Sequence, residues 1–149
     1  MRKLLFELAA AAVLMFAPVC AAQAADAADL VLKDGWFRTL PGNLPAGGYF
    51  TLHNGGTAVA TLTGAESPAC GMLMLHKTVN ESGRESMLGL ARVTVPARGR
   101  LSFAPGGYHL MCTAPSSAVK LGNAIPVTLS FADGSTLRAN FLVRGPTGD

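Results

Sequence analysis

Four side chains in this 149-residue chain have the types and the spacing to bind a metal ion. His76 is followed after ten residues by Met87, after twenty-one more by His109, and Met111 stands two positions beyond. Imidazole nitrogen and thioether sulfur are neutral donors. A thioether is also soft, so it suits Cu(I) and suits Zn²⁺, Mg²⁺ or Ca²⁺ poorly. No carboxylate belongs to the set, which argues against a hydrolytic zinc or magnesium centre. A thiolate would hold Cu(I) more tightly, but outside the cytoplasm it is prone to disulfide formation. Thioethers escape that fate, with sulfoxidation as the remaining hazard. Taken singly, each residue has a plainer reading. A strand methionine is usually core filler, and Met72 and Met74 are expected to pack in or around the core. His53 is expected at the surface or in a hydrogen bond.

The elements that must position these residues read as strands. From Leu30 onward, short apolar runs alternate with turn signals. The runs are Leu30 to Leu40, Tyr49 to His53, Val59 to Leu62, Met72 to His76, Met87 to Val95, Leu101 to Phe103, Tyr108 to Cys112, Val127 to Phe131 and Thr136 to Val143. Asn54-Gly55-Gly56 is a strong turn, and Asp133-Gly134 joins the last two runs as a hairpin. No stretch after residue 30 sustains a helical period, so many short strands imply an all-β sandwich or barrel. Strand alternation puts His109 and Met111 on one face. The polar segment Lys77–Ser86 reads as a hairpin loop that folds Met87 back towards His76.

Composition bounds the rest. Hydrophobic residues make up 50% and charged residues 14%, the reverse of a disordered tail. The net charge of +3 comes from scattered basic residues, so no nucleic-acid partner is expected. Residues 1–24 read as a cleaved signal peptide: Arg2 and Lys3, then a mostly apolar stretch, then Ala22-Gln23-Ala24 as the cleavage site. This leaves residues 25–149 as one domain, exported to the periplasm and not stably inserted in a membrane. Cys20 raises the alternative of a lipidated cysteine, for which Ala17-Pro18-Val19 is a poor match. Cys70 and Cys112 remain, and an even pair in an exported protein is first read as a disulfide. A reduced pair lending a thiolate to copper and two inert thiols stay open. By alternation Cys112 faces away from Met111, into the core.

The four-residue spacing, together with Trp36-Phe37-Arg38, Gly48-Tyr49-Phe50-Thr51-Leu52 and Pro105-Gly106-Gly107-Tyr108-His109-Leu110-Met111, resembles the periplasmic copper chaperones called PCuAC over about residues 29–143. His76, Met87, His109 and Met111 match each position of that family's signature. The resemblance implies a cupredoxin-like, Greek-key β-sandwich that binds one Cu(I) at a surface-exposed site and is not an enzyme. It implies delivery of copper to the binuclear centre of cytochrome c oxidase, through that enzyme's copper-bearing subunit and alongside a Sco-type protein. The protein is expected to act as a monomer. Lys77 stands where many relatives have a second methionine, and the C-terminal tail lacks the His and Met of some relatives, so no second capture site is expected there. The cysteine-containing blue-copper set is absent, which argues against electron transfer. A copper buffer with no acceptor and a metal-free sandwich module remain as rival readings.

Overall fold

The computed structural model describes residues 27–149; the signal-peptide reading of residues 1–24 and the question of Cys20 fall outside them. Ten strands follow a short 3-10 turn at Ala27–Asp29: β1 (Leu30–Arg38), β2 (Ala46–Asn54), β3 (Ala60–Glu66), β4 (Cys70–Glu81), β5 (Arg84–Gly89), β6 (Val93–Val95), β7 (Arg100–Phe103), β8 (Tyr108–Pro115), β9 (Ala124–Phe131) and β10 (Thr136–Arg144). The fold is all-β. Among the described residues no helix is long and apolar enough to cross a membrane.

The strands form one hydrogen-bonded sheet in the order β5-β4-β8-β7-β2-β1-β10-β9-β3-β6, with β8 also paired to β2. The sheet folds over, so that β3 lies against β4 although the two stand near opposite ends of the strand order. Alternation then sends one face of most strands inward, the terminal β5 excepted. Leu73 and Leu75 of β4, Leu110 and Cys112 of β8, and Phe141 and Val143 of β10 are all buried. Phe50 stacks on Phe103 with ring centroids 4.3 Å apart, and Phe37 meets Phe141 at 5.4 Å. These aromatic contacts knit β1, β2, β7 and β10 around one core.

Two local devices set which side chains face outward. In β1 the pairing with β2 shifts between Lys33 and Trp36, and Asp34 takes a positive φ of 54°. The bulge reverses the alternation: Leu30 and Leu32 point inward before it, Phe37 after it. Trp36 and Arg38 are thereby turned to the outer face. The second device is the β4–β5 hairpin. Glu81 pairs with Arg84 across Ser82-Gly83, both at positive φ, as a two-residue hairpin turn requires. The Gly83 N–H donates to Asn80 Oδ1 at 3.1 Å.

This hairpin corrects the loop expected at Lys77–Ser86. Lys77–Glu81 continues β4 and Arg84–Ser86 begins β5, leaving only Ser82 and Gly83 as the turn. The segment is polar because β5 ends the sheet and all six of its residues are exposed. The run Met87 to Val95 also divides. Its first part lies in β5 and its last in β6, at opposite ends of the strand order. The Asp133-Gly134 hairpin forms, with β9 and β10 antiparallel from Ser130–Thr136 onward.

Candidate metal centre

Three neighbouring strands carry the four sequence-selected residues to one outer face. His76 on β4 is the direct register partner of His109 on β8, and Met74 is the partner of Met111 one rung along. On the other side of β4, Thr78 pairs with Met87 and His76 pairs with Gly89. Directly opposed residues share a face, as do residues two apart on a strand. Met74, His76, Thr78, Met87, His109 and Met111 therefore project from the same surface, while Leu73, Leu75, Leu110 and Cys112 between them go to the core.

The two imidazoles meet edge-on with ring centroids 5.7 Å apart. His109 is 6% exposed, and its Nδ1 lies 3.1 Å from the Gly107 carbonyl oxygen. A carbonyl oxygen only accepts, so Nδ1 carries the proton and donates. That fixes the tautomer and leaves the Nε2 lone pair free, the arrangement that metal-binding histidines share. His109 Nε2 and His76 Nδ1 are both buried without a hydrogen-bond partner among the described residues. Buried polar atoms are nearly always paired, and two adjacent exceptions call for a ligand. Burial pushes the His76 pKa below its ordinary value, and the neighbouring His109 pushes it the same way. Both effects favour the neutral imidazole, the form that can ligate.

The sulfurs occupy different settings. Met111 is half-buried, with Met74 across from it on β4 and Gly47 on β2. Met87 is 60% exposed on the terminal strand. His109, Met111, Met87, Thr78, Tyr49 and Arg38 line one cleft of about 120 Å³. Its wall is fixed by Arg38, whose Nη2 donates to Tyr49 Oη at 2.6 Å. Gly47 is required there, since a Cβ would lie 2.6 Å from that same oxygen. Among the described residues, no group of three or more His, Cys, Asp or Glu side chains stands ready to hold a metal.

Cys70 and Cys112 form a disulfide. Cys112 is fully buried, on the core side of β8, and is unavailable to the cleft. The thiolate and free-thiol readings of this pair are thereby set aside. Cys70 could not be placed from the sequence, because the adjacent Gly71 can interrupt the strand. Its bond to Cys112 draws it against the core, on which it packs partly buried.

Some expectations are corrected and some residues were missed. Met72 is 57% exposed, not packed in the core, and Met74 is only half-buried. The buried leucines at 73 and 75 were the signal that could have placed both on the outer face. Arg38 and Tyr49 were noted only as part of a resemblance, and their place in the cleft wall depends on a bulge that alternation does not reveal. His53 lies apart, half-buried on β2 opposite Arg100, and is not brought to this face.

Comparison with known proteins places the chain in a family. The copper-bound PCuAC domain from PmoF2 superposes with a TM-score of 0.66 at 22% identity, covering 79% of this chain and 94% of that one. Apo-DR1885 from Deinococcus radiodurans matches with a TM-score of 0.61 at 26% identity, over 94% of this chain and 95% of that one. Its Cu(I) form matches with a TM-score of 0.63 at 26% identity, over 85% and 83%. A curated relative from Leifsonia xyli subsp. xyli, named "Putative lipoprotein Lxx21020", is 40% identical over 84 residues, which is 56% of this chain. The matched region spans about half of that relative's length, 51%. The LpqE-like family model matches residues 30–143, and the chain belongs to the LpqE-like family.

Proposed function

We propose that the protein is an exported copper carrier, which holds one Cu(I) between His76, Met87, His109 and Met111 and passes it to the copper-bearing subunit of cytochrome c oxidase. The observation that carries this reading is the pair of unpartnered, buried imidazole nitrogens on a face that also presents two thioethers. Two neutral nitrogens and two soft sulfurs suit a soft monovalent cation. The similar PmoF2 domain is copper-bound and the similar DR1885 holds Cu(I), which supports the same cargo. The periplasm is the proposed location, and the disulfide fits an oxidising compartment.

The cargo moves by ligand exchange, so no electron changes hands. His109 stays fixed by its bond to Gly107, and burial favours the neutral form of His76 beside it. Met87, on the terminal strand, is the donor an incoming ligand can replace. A direct test mixes Cu(I)-loaded protein with the apo copper domain of the oxidase subunit and follows the metal. Transfer should outpace spontaneous dissociation and accelerate with acceptor concentration. A rate that ignores the acceptor would identify a buffer instead of a carrier, and failure to bind Cu(I) in a 1:1 ratio would sink both.

A further inference from the structure

Two methionines beside the site lie outside the buried core. Met72 is 57% exposed and Met74 half-buried, on the outer face of β4. Met74 is the register partner of Met111, and Met72 stands one rung further, opposite Thr113. The Thr113 hydroxyl donates to the Met72 carbonyl oxygen, at 3.4 Å, leaving the Met72 side chain as the outward feature of that rung. Partners across a rung lie about 5 Å apart, and residues two apart on a strand about 7 Å. A methionine side chain is long and has three rotatable bonds, so three of them at such spacings can bring their sulfurs to one ion.

We infer that Met72, Met74 and Met111 form a second Cu(I) subsite made of thioethers alone, through which the ion enters and leaves the histidine-containing site. This inference rests on the carrier reading above, and it adds residues which that reading does not use. Met111 belongs to both sites, so an ion can move from one to the other without being released. Bonds to the His76 and His109 nitrogens break as bonds to the Met72 and Met74 sulfurs form, and the copper stays Cu(I) throughout. Three neutral thioethers make the subsite selective for a soft monovalent ion and weaker than a set containing imidazole.

The test uses Ag(I), a soft monovalent ion that does not change redox state, with the methionine methyl groups isotopically labelled and followed by NMR. In the His76→Ala variant, Ag(I) should shift the Met72, Met74 and Met111 methyl signals, with affinity reduced about 10–100-fold from wild type. Methyl shifts confined to Met87 and Met111 would overturn the subsite while leaving the carrier reading intact. Silence of every methyl in the wild-type protein would overturn both. A second measurement avoids the histidine variant altogether. Met72→Leu/Met74→Leu keeps side-chain volume, and Cu(I) transfer from this double variant to an acceptor should slow about tenfold, a loss of the size that removing a supporting group causes. An unchanged transfer rate would overturn the inference.

Discussion

Truncating Met87 separates a side chain kept for binding from one kept for packing. Met87 is 60% exposed on β5, where all six residues are exposed. Fully burying a methionine side chain stabilises a fold by roughly 1.5–3 kcal/mol. With less than half of it buried, and with the alanine methyl retained, Met87→Ala should cost the apo fold about 1 kcal/mol or less. Its effect on Cu(I) should be far larger. Loss of a group that merely supports a ligand costs about 10–100-fold in metal affinity, and loss of the ligand itself should exceed that. A hundredfold loss corresponds to about 2.7 kcal/mol, so the binding effect should be more than twice the folding effect. Urea unfolding of the apo-protein gives the first quantity, and competition for Cu(I) against a chromophoric chelator gives the second. Leu110→Ala is the control, since Leu110 is fully buried and its truncation should cost about 2–5 kcal/mol of stability. If Met87→Ala destabilises the fold by as much as Leu110→Ala, or leaves Cu(I) affinity unchanged, then Met87 is not a ligand.

Four further outcomes are expected. Reducing the Cys70–Cys112 disulfide, whose cysteines are 42 positions apart, should lower stability by about 4 kcal/mol in the loop-entropy account; urea midpoints with and without reductant measure it, and an unchanged midpoint would refute it. Gly47→Ala should push the Tyr49 ring off Arg38 and cost roughly 1–3 kcal/mol, with a changed near-ultraviolet circular dichroism spectrum. In the apo-protein His76 should titrate below its ordinary value of 6.5, so the unfolded chain takes up its proton first as pH falls. Stability should therefore decline from about pH 6.5 down through the folded-state value and show no His76 contribution above that window; an NMR titration of the imidazole giving a value at or above 6.5 would contradict this. Finally, the mass of the exported protein distinguishes cleavage after Ala24 from a lipid on Cys20, a question sharpened by the lipoprotein name of the Leifsonia relative.

The outer face was legible where alternation is regular and illegible where partners decide. His109 and Met111 could be placed together because β8 keeps an unbroken register with β4 from Tyr108 to Cys112. Met72 and Met74 were misjudged because apolar character was given more weight than position, although Leu73 and Leu75 had already claimed the core side. The Lys77–Ser86 segment looked like a loop because it is polar, yet a terminal strand can be wet on both faces and still be a strand. The division of Met87 to Val95 into β5 and β6 has no local signal. It follows from where Leu75 and Ala60 wait as partners, the first for the Leu90 N–H and the second for Val95. The reversal at Asp34–Gly35 that brings Arg38 to the cleft had a local signal, a glycine inside the strand run, which marks a bulge.

The four proposed ligands differ in how firmly the fold holds them, and that gradient decides what the site can do. His109 is buried, its ring fixed through Nδ1, on a strand paired to β4, β2 and β7. His76 sits on β4, which has β8 on one side and β5 on the other. Met111 is half-buried between β4 and β2. Met87 alone stands on a terminal strand with most of its side chain in solvent. A centre built for electron transfer gains from holding every ligand equally still, because reorganisation on changing charge slows the reaction. A centre built for hand-off needs the opposite: firm donors on one side to keep the ion from free solution, and one loose donor on the side a partner can reach. The departing thioether is neutral and flexible, so its replacement by another soft donor leaves little charge to resolvate. In the proposed hand-off the sheet then sets the order of release: Met87 leaves first, and the His76 and His109 nitrogens are exchanged for the Met72 and Met74 sulfurs while the Met111 sulfur keeps hold of the ion.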